Sequence, residues 1–241
     1  MREPSIVHYL PVLSTLISGA FLVVLVRRAK MRRWAPHLVW WAIGVFFYGL
    51  GTAIESTITL SGNTPTLNRL WYWAGAILGG YPLATGSLYL LARRSWAHAL
   101  TALSLALVVF ASVAVLLTPI DTASIDPVRP SGSVLEWQWV RLTTPLINLY
   151  ALVFLVGGAL YSSVNFFLSG NQPRRAAGTA LIAVGGLLPG IGGTLTKTHD
   201  MPEALYVGEF AGVILIWLGY ELCTRRKAEQ PEPARSESAL A

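Results

Sequence analysis

Seven long apolar stretches occupy most of this chain, at residues 6–26, 38–60, 70–91, 97–118, 142–168, 176–196 and 204–223. A helix needs roughly 20 apolar residues to cross about 30 Å of hydrocarbon, and each stretch reaches that length. Lipid offers no hydrogen-bond partner to backbone N–H and C=O groups, so a spanning segment is either a helix or part of a closed barrel. Barrel strands need only about 9–11 residues, and these stretches are too long and too uniformly apolar to be strands. The expected fold class is an all-α integral membrane protein, a seven-transmembrane-helix bundle. Residues 1–223 read as the transmembrane domain, and the polar, Pro-containing residues 224–241 as a disordered cytoplasmic tail.

The charges say how the bundle is oriented. Only 12% of residues are charged, against about 25% in a soluble domain. A formal net charge of +6 could suggest a nucleic-acid binder, but the positions of the charges argue otherwise. Of the 18 Lys and Arg residues, 13 follow the first, third, fifth and seventh spans, and 5 lie at the opposite ends. Basic residues stay in the cytoplasm, so the expected topology has the N-terminus outside and the C-terminus cytoplasmic. The first span reads as a retained helix. Its basic cluster, Arg27 to Arg33, follows it instead of preceding it, and no small-x-small cleavage site is evident. The lipid bilayer is thus the first expected partner, and nucleic acid is excluded.

Ionisable side chains inside the spans are costly, about 2.5–3.5 kcal/mol at the bilayer centre on insertion scales, which makes them functional candidates. Glu55 lies in the outer third of the second span, and Glu209 near the outer end of the seventh. A helix rises about 1.5 Å per residue, which puts the two carboxyls at similar depth. Arg69 and Arg141 sit at the outer starts of the third and fifth spans, and Lys197, His199 and Asp200 in the turn before the seventh. Trp71, Trp73, Trp137 and Trp139 share that level. Tryptophan gathers at membrane interfaces whatever a protein does, and arginines at helix ends are ordinary anchors. A carboxylate cannot snorkel far, so Glu55 and Glu209 stand apart. The ligand-binding candidates are Glu55, Arg69, Trp73, Arg141 and Glu209, lining one outward-facing polar pocket. Two carboxylates in such a pocket would repel unless a proton, a cation or an arginine lies between them. The alternative is that each Glu ties its helix to a neighbour.

Other patterns concern packing. Gly75/Gly79, Gly186/Gly190 and Gly208/Gly212 form GxxxG pairs, expected to let helices approach closely. Pro82, Pro145 and Pro189 lie within spans and are expected to bend them. The external segment from Pro119 to Trp137 is rich in Pro and Gly and reads as irregular. A faint echo relates LGTAIEST and RLWYWAGAIL to IGGTLTKT and ALYVGEFAGVIL, an arrangement of the kind found in transporters.

Chemistry is narrowed mainly by what is missing. The seventh span has no mid-helix lysine to form a Schiff base, and the four histidines are scattered over both ends of the spans, which supports no metal site. GxSxG, P-loop and HExxH motifs are absent, so no catalytic residue and no cofactor is assigned. The lone cysteine, Cys223, rules out an internal disulfide.

The stretch FFYGLGTAIESTITLSGNTPTLNRLWYWAGAILGGYPLATGSLYLLARR has a small-residue helix ending near Glu, a short gap, an aromatic-rich start with a basic residue, and a mid-helix proline. It resembles the second and third helices of the seven-helix sensor region at the N-terminus of certain bacterial histidine kinases. PRRAAGTALIAVGGLLPGIGG and the helix that follows resemble that region's last two helices. This chain departs from the family in having no kinase domain after the seventh span. The resemblance implies a stand-alone signal-sensing or ligand-binding module, multi-pass in the cytoplasmic membrane of a bacterium, with a signalling protein as partner. The leading expectation is therefore a module that binds a small or lipophilic molecule in its outer half. A small-molecule transporter is the runner-up, and an intramembrane enzyme of unfamiliar type comes third.

Overall fold

The computed structural model describes residues 6–170, 172–199 and 201–224, without the side chains of 197–199 and 202. The expected tail at 225–241, Asp200, and the side chains of Lys197 and His199 thus lie outside the described residues. Among the described residues, seven helices are long and apolar enough to cross a membrane: α1 (Ile6–Met31), α2 (Pro36–Ser61), α3 (Pro65–Leu91), α4 (Arg94–Leu117), α5 (Gln138–Leu168), α6 (Pro173–Thr196) and α7 (Glu203–Thr224). α5 begins four residues earlier than its apolar stretch, in a short 3-10 turn at Gln138–Leu142. Among the described residues there is no strand, only an isolated bridge between Ile120 and Leu135.

Local chemistry explains several boundaries. Two successive residues with positive φ, Arg33 at 51° and Trp34 at 58°, end α1, and Trp34 N–H returns to Ala29 O at 2.7 Å. α2 then starts on Pro36, which has no N–H to leave unpaired. Gly62, at φ 89°, closes α2. Thr64 opens α3 by accepting from Leu67 N–H at 3.2 Å, with Pro65 following.

Six of the helices form a closed ring in the order α1, α2, α3, α5, α6, α7, with α7 returning to α1. α4 stands outside the ring against α3 and α5. One face carries the start of α1, the α2–α3 turn and the long α4–α5 loop; the other carries the α1–α2, α3–α4 and α5–α6 turns and the end of α7. The half of the ring near the second face is filled by Phe21, Leu25, Trp41, Leu83, Leu155 and Tyr220, drawn from five of the six ring helices. Apolar contacts between helices gain little from hydrophobic transfer when the solvent is lipid, so this half is held by close packing.

Glycine decides where backbones touch, and of the three expected GxxxG pairs Gly208/Gly212 places both members on the backbone of a neighbouring helix. Along α6, Gly178, Gly185 and Gly192 recur every seven residues, each pressed on α7 backbone. A Cβ on Gly185 would lie 2.7 Å from Gly212 O, and one on Gly192 2.4 Å from Ala204 O. Gly208 and Gly212 answer from α7, against Leu188 O and Gly185 O. Gly190, by contrast, has open space around it, Gly186 faces side chains of α5, and Gly79 meets a carbonyl of its own helix. The seven-residue period follows from the antiparallel hairpin: two nearly straight helices present the same face every two turns.

α3 and α5 are interrupted. α3 runs through a π-helical stretch at Tyr72–Ile77 and a turn before resuming at Tyr81. α5 has a second π-helical stretch at Leu152–Gly157. The disturbance in α5 thus falls beyond Pro145, and the one in α3 precedes Pro82, which occupies the first turn of the resumed helix and costs it no hydrogen bond. Pro189 lies inside an otherwise continuous α6.

The α4–α5 loop is irregular in backbone but well anchored. Asn68, fully buried, accepts from Ser131 N–H at 2.9 Å and donates to Ser131 O at 2.7 Å. Asn63 donates to the carbonyls of Asp126 and Arg129. Leu135 and Val140 are fully buried beneath it, and Gly132 lies on the Tyr72 ring, where a Cβ would come within 2.4 Å. In the exposed part of the loop, the Ser124 hydroxyl and then the Ala123 N–H hold the Asp121 carboxyl below its ordinary range.

Candidate functional site

The antiparallel contact of α2 with α3 places the first functional pair. Gly51 meets Gly75 so closely that a Cβ on Gly51 would lie 3.3 Å from Gly75 Cα. Four residues further along α2 is Glu55, and four residues back along α3 is Trp71. Trp71 Nε1 donates to Glu55 Oε1 at 2.6 Å. Glu55 is 1% exposed.

Toward the second face the pairing shifts by one. Gly44, seven residues back from Gly51, meets Leu83, eight residues on from Gly75, and Gly86 then holds Trp41. The π-helical stretch and following turn of α3 take up that odd residue. A π-bulge is in essence one residue added to an α-helix. Without it, the outer end of α3 would be rotated and Trp71 would turn away from Glu55.

Glu209 comes from α7, whose backbone stands off from that of α2. Side chains bridge the two. Tyr48 lies seven residues before Glu55 on the same face of α2, and its hydroxyl donates to Glu209 O at 2.6 Å. The Glu209 carboxyl lies close enough to that of Glu55 for each to act on the other. Tyr206, one turn before Glu209 and 3% exposed, lies in the field of both carboxyls and packs on His8, with ring centroids 5.5 Å apart. Thr15 and Thr52 share a hydrogen bond of 2.9 Å that ties α1 to α2 beside this cluster. Among the described residues, two buried carboxylate oxygens, Glu55 Oε2 and Glu209 Oε2, have no hydrogen-bond partner.

The structure thus brings Glu55 and Glu209 together and separates the other three candidates from them. Arg69 Nη2 donates to Thr118 O at 2.7 Å, fastening the start of the α4–α5 loop. Arg141 Nη1 donates to Gln138 Oε1 at 2.8 Å within the first turn of α5. Both guanidiniums are engaged elsewhere, so neither supplies the counter-charge expected for the pair. Trp73 packs edge-on against Phe47 at 5.5 Å and lines an apolar groove of about 340 Å³ between α2, α3 and α4, with Tyr81, Val108 and Val113. A second apolar cavity, about 400 Å³, lies between α1 and α7 at Ile17, Trp217 and Glu221. Neither is lined by Glu55 or Glu209.

Three members of the cluster escape sequence reasoning as site residues: Tyr48, Trp71 and Tyr206. Tyr48 and Tyr206 carry a helical signal, two turns from Glu55 and one turn from Glu209. Trp71 carries none without the α2–α3 register. Among the described residues no three His, Cys, Asp or Glu side chains gather as a metal site. Chemically, the cluster offers two carboxylate oxygens, an indole donor and two phenols, with the Thr15–Thr52 hydroxyl pair and the His8 ring beside them. No protein-family model matches the chain, and the comparisons with curated proteins and with solved structures found no match.

Proposed function

We propose that this protein is a sensor-like, ligand-binding seven-helix module of a bacterial cytoplasmic membrane. Its N-terminus lies outside and its ligand site is the Glu55–Glu209 cluster. The observation that carries this reading is a pair of buried carboxylate oxygens, Glu55 Oε2 and Glu209 Oε2, that have no hydrogen-bond partner among the described residues, on carboxyls near enough to influence each other. A buried acceptor left without a donor costs about 1–3 kcal/mol, and more when it is charged. A ligand with a positive or hydrogen-bond-donating group relieves that cost and joins α2 to α7. The resemblance to histidine-kinase sensor regions supplies the signalling context, with a separate protein as the receiver. The charge split supplies the orientation.

The test is thermal unfolding of the purified protein in detergent against sodium, potassium and a set of primary and secondary amines. At least one should raise the midpoint, and Glu55→Gln or Glu209→Gln should remove the shift. A panel without effect on the parent, or a shift that survives both substitutions, overturns the reading. Orientation is tested separately, by labelling single cysteines in the 62–64 and 169–172 turns of a Cys223→Ala background in intact cells. Labelling of the second turn from outside would reverse it.

Transport is the second reading. It is favoured by the origin of the two carboxyls, one from each of two antiparallel hairpins, α2–α3 and α6–α7, which could move relative to each other. Uptake of the stabilising cation into proteoliposomes separates it from sensing.

A further inference from the structure

α4 stands outside the ring and leaves a gap between itself and α2. Leu105, Val109, Val113 and Leu116 recur every three or four residues along α4, and with Phe47 of α2 and Trp73 of α3 they line the apolar groove of about 340 Å³. These four α4 residues are 39–54% exposed, so the groove opens sideways into the bilayer. Leu105 lies midway along α4, and Leu116 next to its last residue. The helix rises about 16 Å from one to the other, close to half of the roughly 30 Å hydrocarbon core. The inner end of the groove is closed at mid-membrane, where the Tyr81 ring meets Trp40 edge-on at 6.2 Å and its hydroxyl shares a hydrogen bond of 3.0 Å with Ser104. The groove therefore has the depth of one leaflet.

A positive charge sits at its other end. Arg69 is one helical turn before Trp73, on the same face of α3. Its Nη2 donates to Thr118 O at 2.7 Å, which holds the guanidinium two residues beyond Leu116, at the mouth of the groove. Thr118 closes the carbonyl end of α4, where a cation is favourable in itself. That bond spends one of the five N–H donors of the guanidinium. Its Nε is buried without an acceptor among the described residues. A guanidinium is a planar fork that fits phosphate oxygens in pairs. The same loop carries Glu136, whose N–H donates to Pro119 O at 3.1 Å.

We propose that the groove holds one phospholipid of the leaflet on the α4–α5 loop side, with its phosphate on Arg69 and one acyl chain running along α4 to Tyr81. The chain alone does not select the site. Lipid tails are as apolar as the side chains of the groove, so exchanging one surface for the other gains little. The phosphate supplies the selection, through charge-assisted hydrogen bonds at the edge of the hydrocarbon. With Glu136 on the loop above, a zwitterionic head group is accepted as well as an anionic one. The bound lipid closes the gap between α2 and α4, so the peripheral helix is held to the ring partly through it. Glu55 and Glu209 do not line this groove, and the proposal is independent of the ligand site assigned to them.

The experiment is native mass spectrometry of the full-length protein, stripped of lipid in detergent and then given phosphatidylglycerol, phosphatidylethanolamine, diacylglycerol or palmitate, all with palmitoyl chains. One phospholipid should be retained per protein. Diacylglycerol, which has the chains without the phosphate, should bind at least about tenfold more weakly, the fold-change of one hydrogen bond to a charged group. Arg69→Gln should bring phospholipid down to the diacylglycerol level. Arg69 also caps α4, so a second variant leaves it in place. Val113→Trp, at a half-exposed position, fills the groove and should exclude the lipid without lowering the unfolding midpoint of the lipid-free protein. Equal retention of diacylglycerol and phospholipid would make Arg69 a helix cap only and overturn the proposal. So would palmitate retained in preference to phospholipid, phospholipid retention undiminished in either variant, or no retained lipid at all.

Discussion

The two antiparallel hairpins α2–α3 and α6–α7 are built from similar glycine-rich sequence and do opposite things with it. In α6–α7 glycine meets backbone from end to end, at Gly178 with Gly219, Gly185 with Gly212, and Gly192 with the backbone at Ala204 and Leu205, always in the same register. In α2–α3 the register slips by one across the π-helical stretch Tyr72–Ile77 and the turn after it. Part of its seam is a side-chain socket, with Trp41 seated over Gly86. A uniform backbone seam is stiff and carries little chemistry of its own. The slipped hairpin gives up regular helix geometry, and that slip turns Trp71 onto Glu55. α6–α7 therefore acts as the frame that holds Glu209, and α2–α3 as the adjustable partner that brings the indole, the phenol of Tyr48 and the second carboxyl.

The harshest way to break the frame is Gly185→Leu. Even a Cβ there lies 2.7 Å from Gly212 O and 3.0 Å from Ile216 N, and α7 backbone cannot rotate aside as a side chain can. The expected cost is at the upper end of overpacking, about 3 kcal/mol or more. The measurement is the thermal unfolding midpoint in detergent, together with the folded yield. A variant as stable as the parent would mean that the seam opens freely and that α6–α7 is not the stiffer hairpin.

Deleting Ala76 attacks the slip itself. With one residue fewer, the π-helical stretch can close into regular α-helix, and the outer end of α3 turns by about 100° relative to the rest. The new helix is locally sound, so the loss is that of the contacts made by the turned end: the Trp71–Glu55 bond, about 1.5–3 kcal/mol if its acceptor is charged, and with it the Asn68–Ser131 and Arg69–Thr118 bonds that anchor the loop. The register is read directly by oxidative cross-linking of Glu55→Cys with Trp71→Cys in a Cys223→Ala background. The pair should cross-link with Ala76 present and fail without it. Equal cross-linking in both would show that the odd residue is absorbed elsewhere.

Much of this architecture is legible in the amino-acid order because the bilayer is so restrictive a solvent. Length and apolarity alone mark seven spanning helices, as lipid leaves the backbone no other way to pair. Depth is legible too, since a fixed rise per residue puts Glu55 and Glu209 at one level. Azimuth is not. Which side chains face each other depends on the order of helices around the ring, and no single helix records that. The same limit explains why Arg69 and Arg141 join the loop layer and Trp73 the groove beside α4, although all three share the depth of the carboxyls. The π-helical stretch of α3 is hidden for a related reason. It exists to reconcile two contacts made by α2, one on either side of it, and nothing within residues 72–77 requires it.

The smallest effect expected is also the one that most sharpens the contrast, because it concerns a glycine only five residues from Gly185. Gly190 completes a GxxxG pair with Gly186 and by that motif should be a contact point. In the ring it faces away from α7, and a Cβ placed there would have nothing within 4 Å. Gly190→Leu adds bulk only toward open space and lipid, where leucine is welcome, and replaces the residue with the least favourable helix propensity after proline. The unfolding midpoint should therefore stay level or rise slightly, by the equivalent of about 0.5–1 kcal/mol at most. A marked loss would show that the α6 surface around Gly190 is covered in the membrane, by a second copy or by another protein, and would move the frame's contact face from one side of α6 to both.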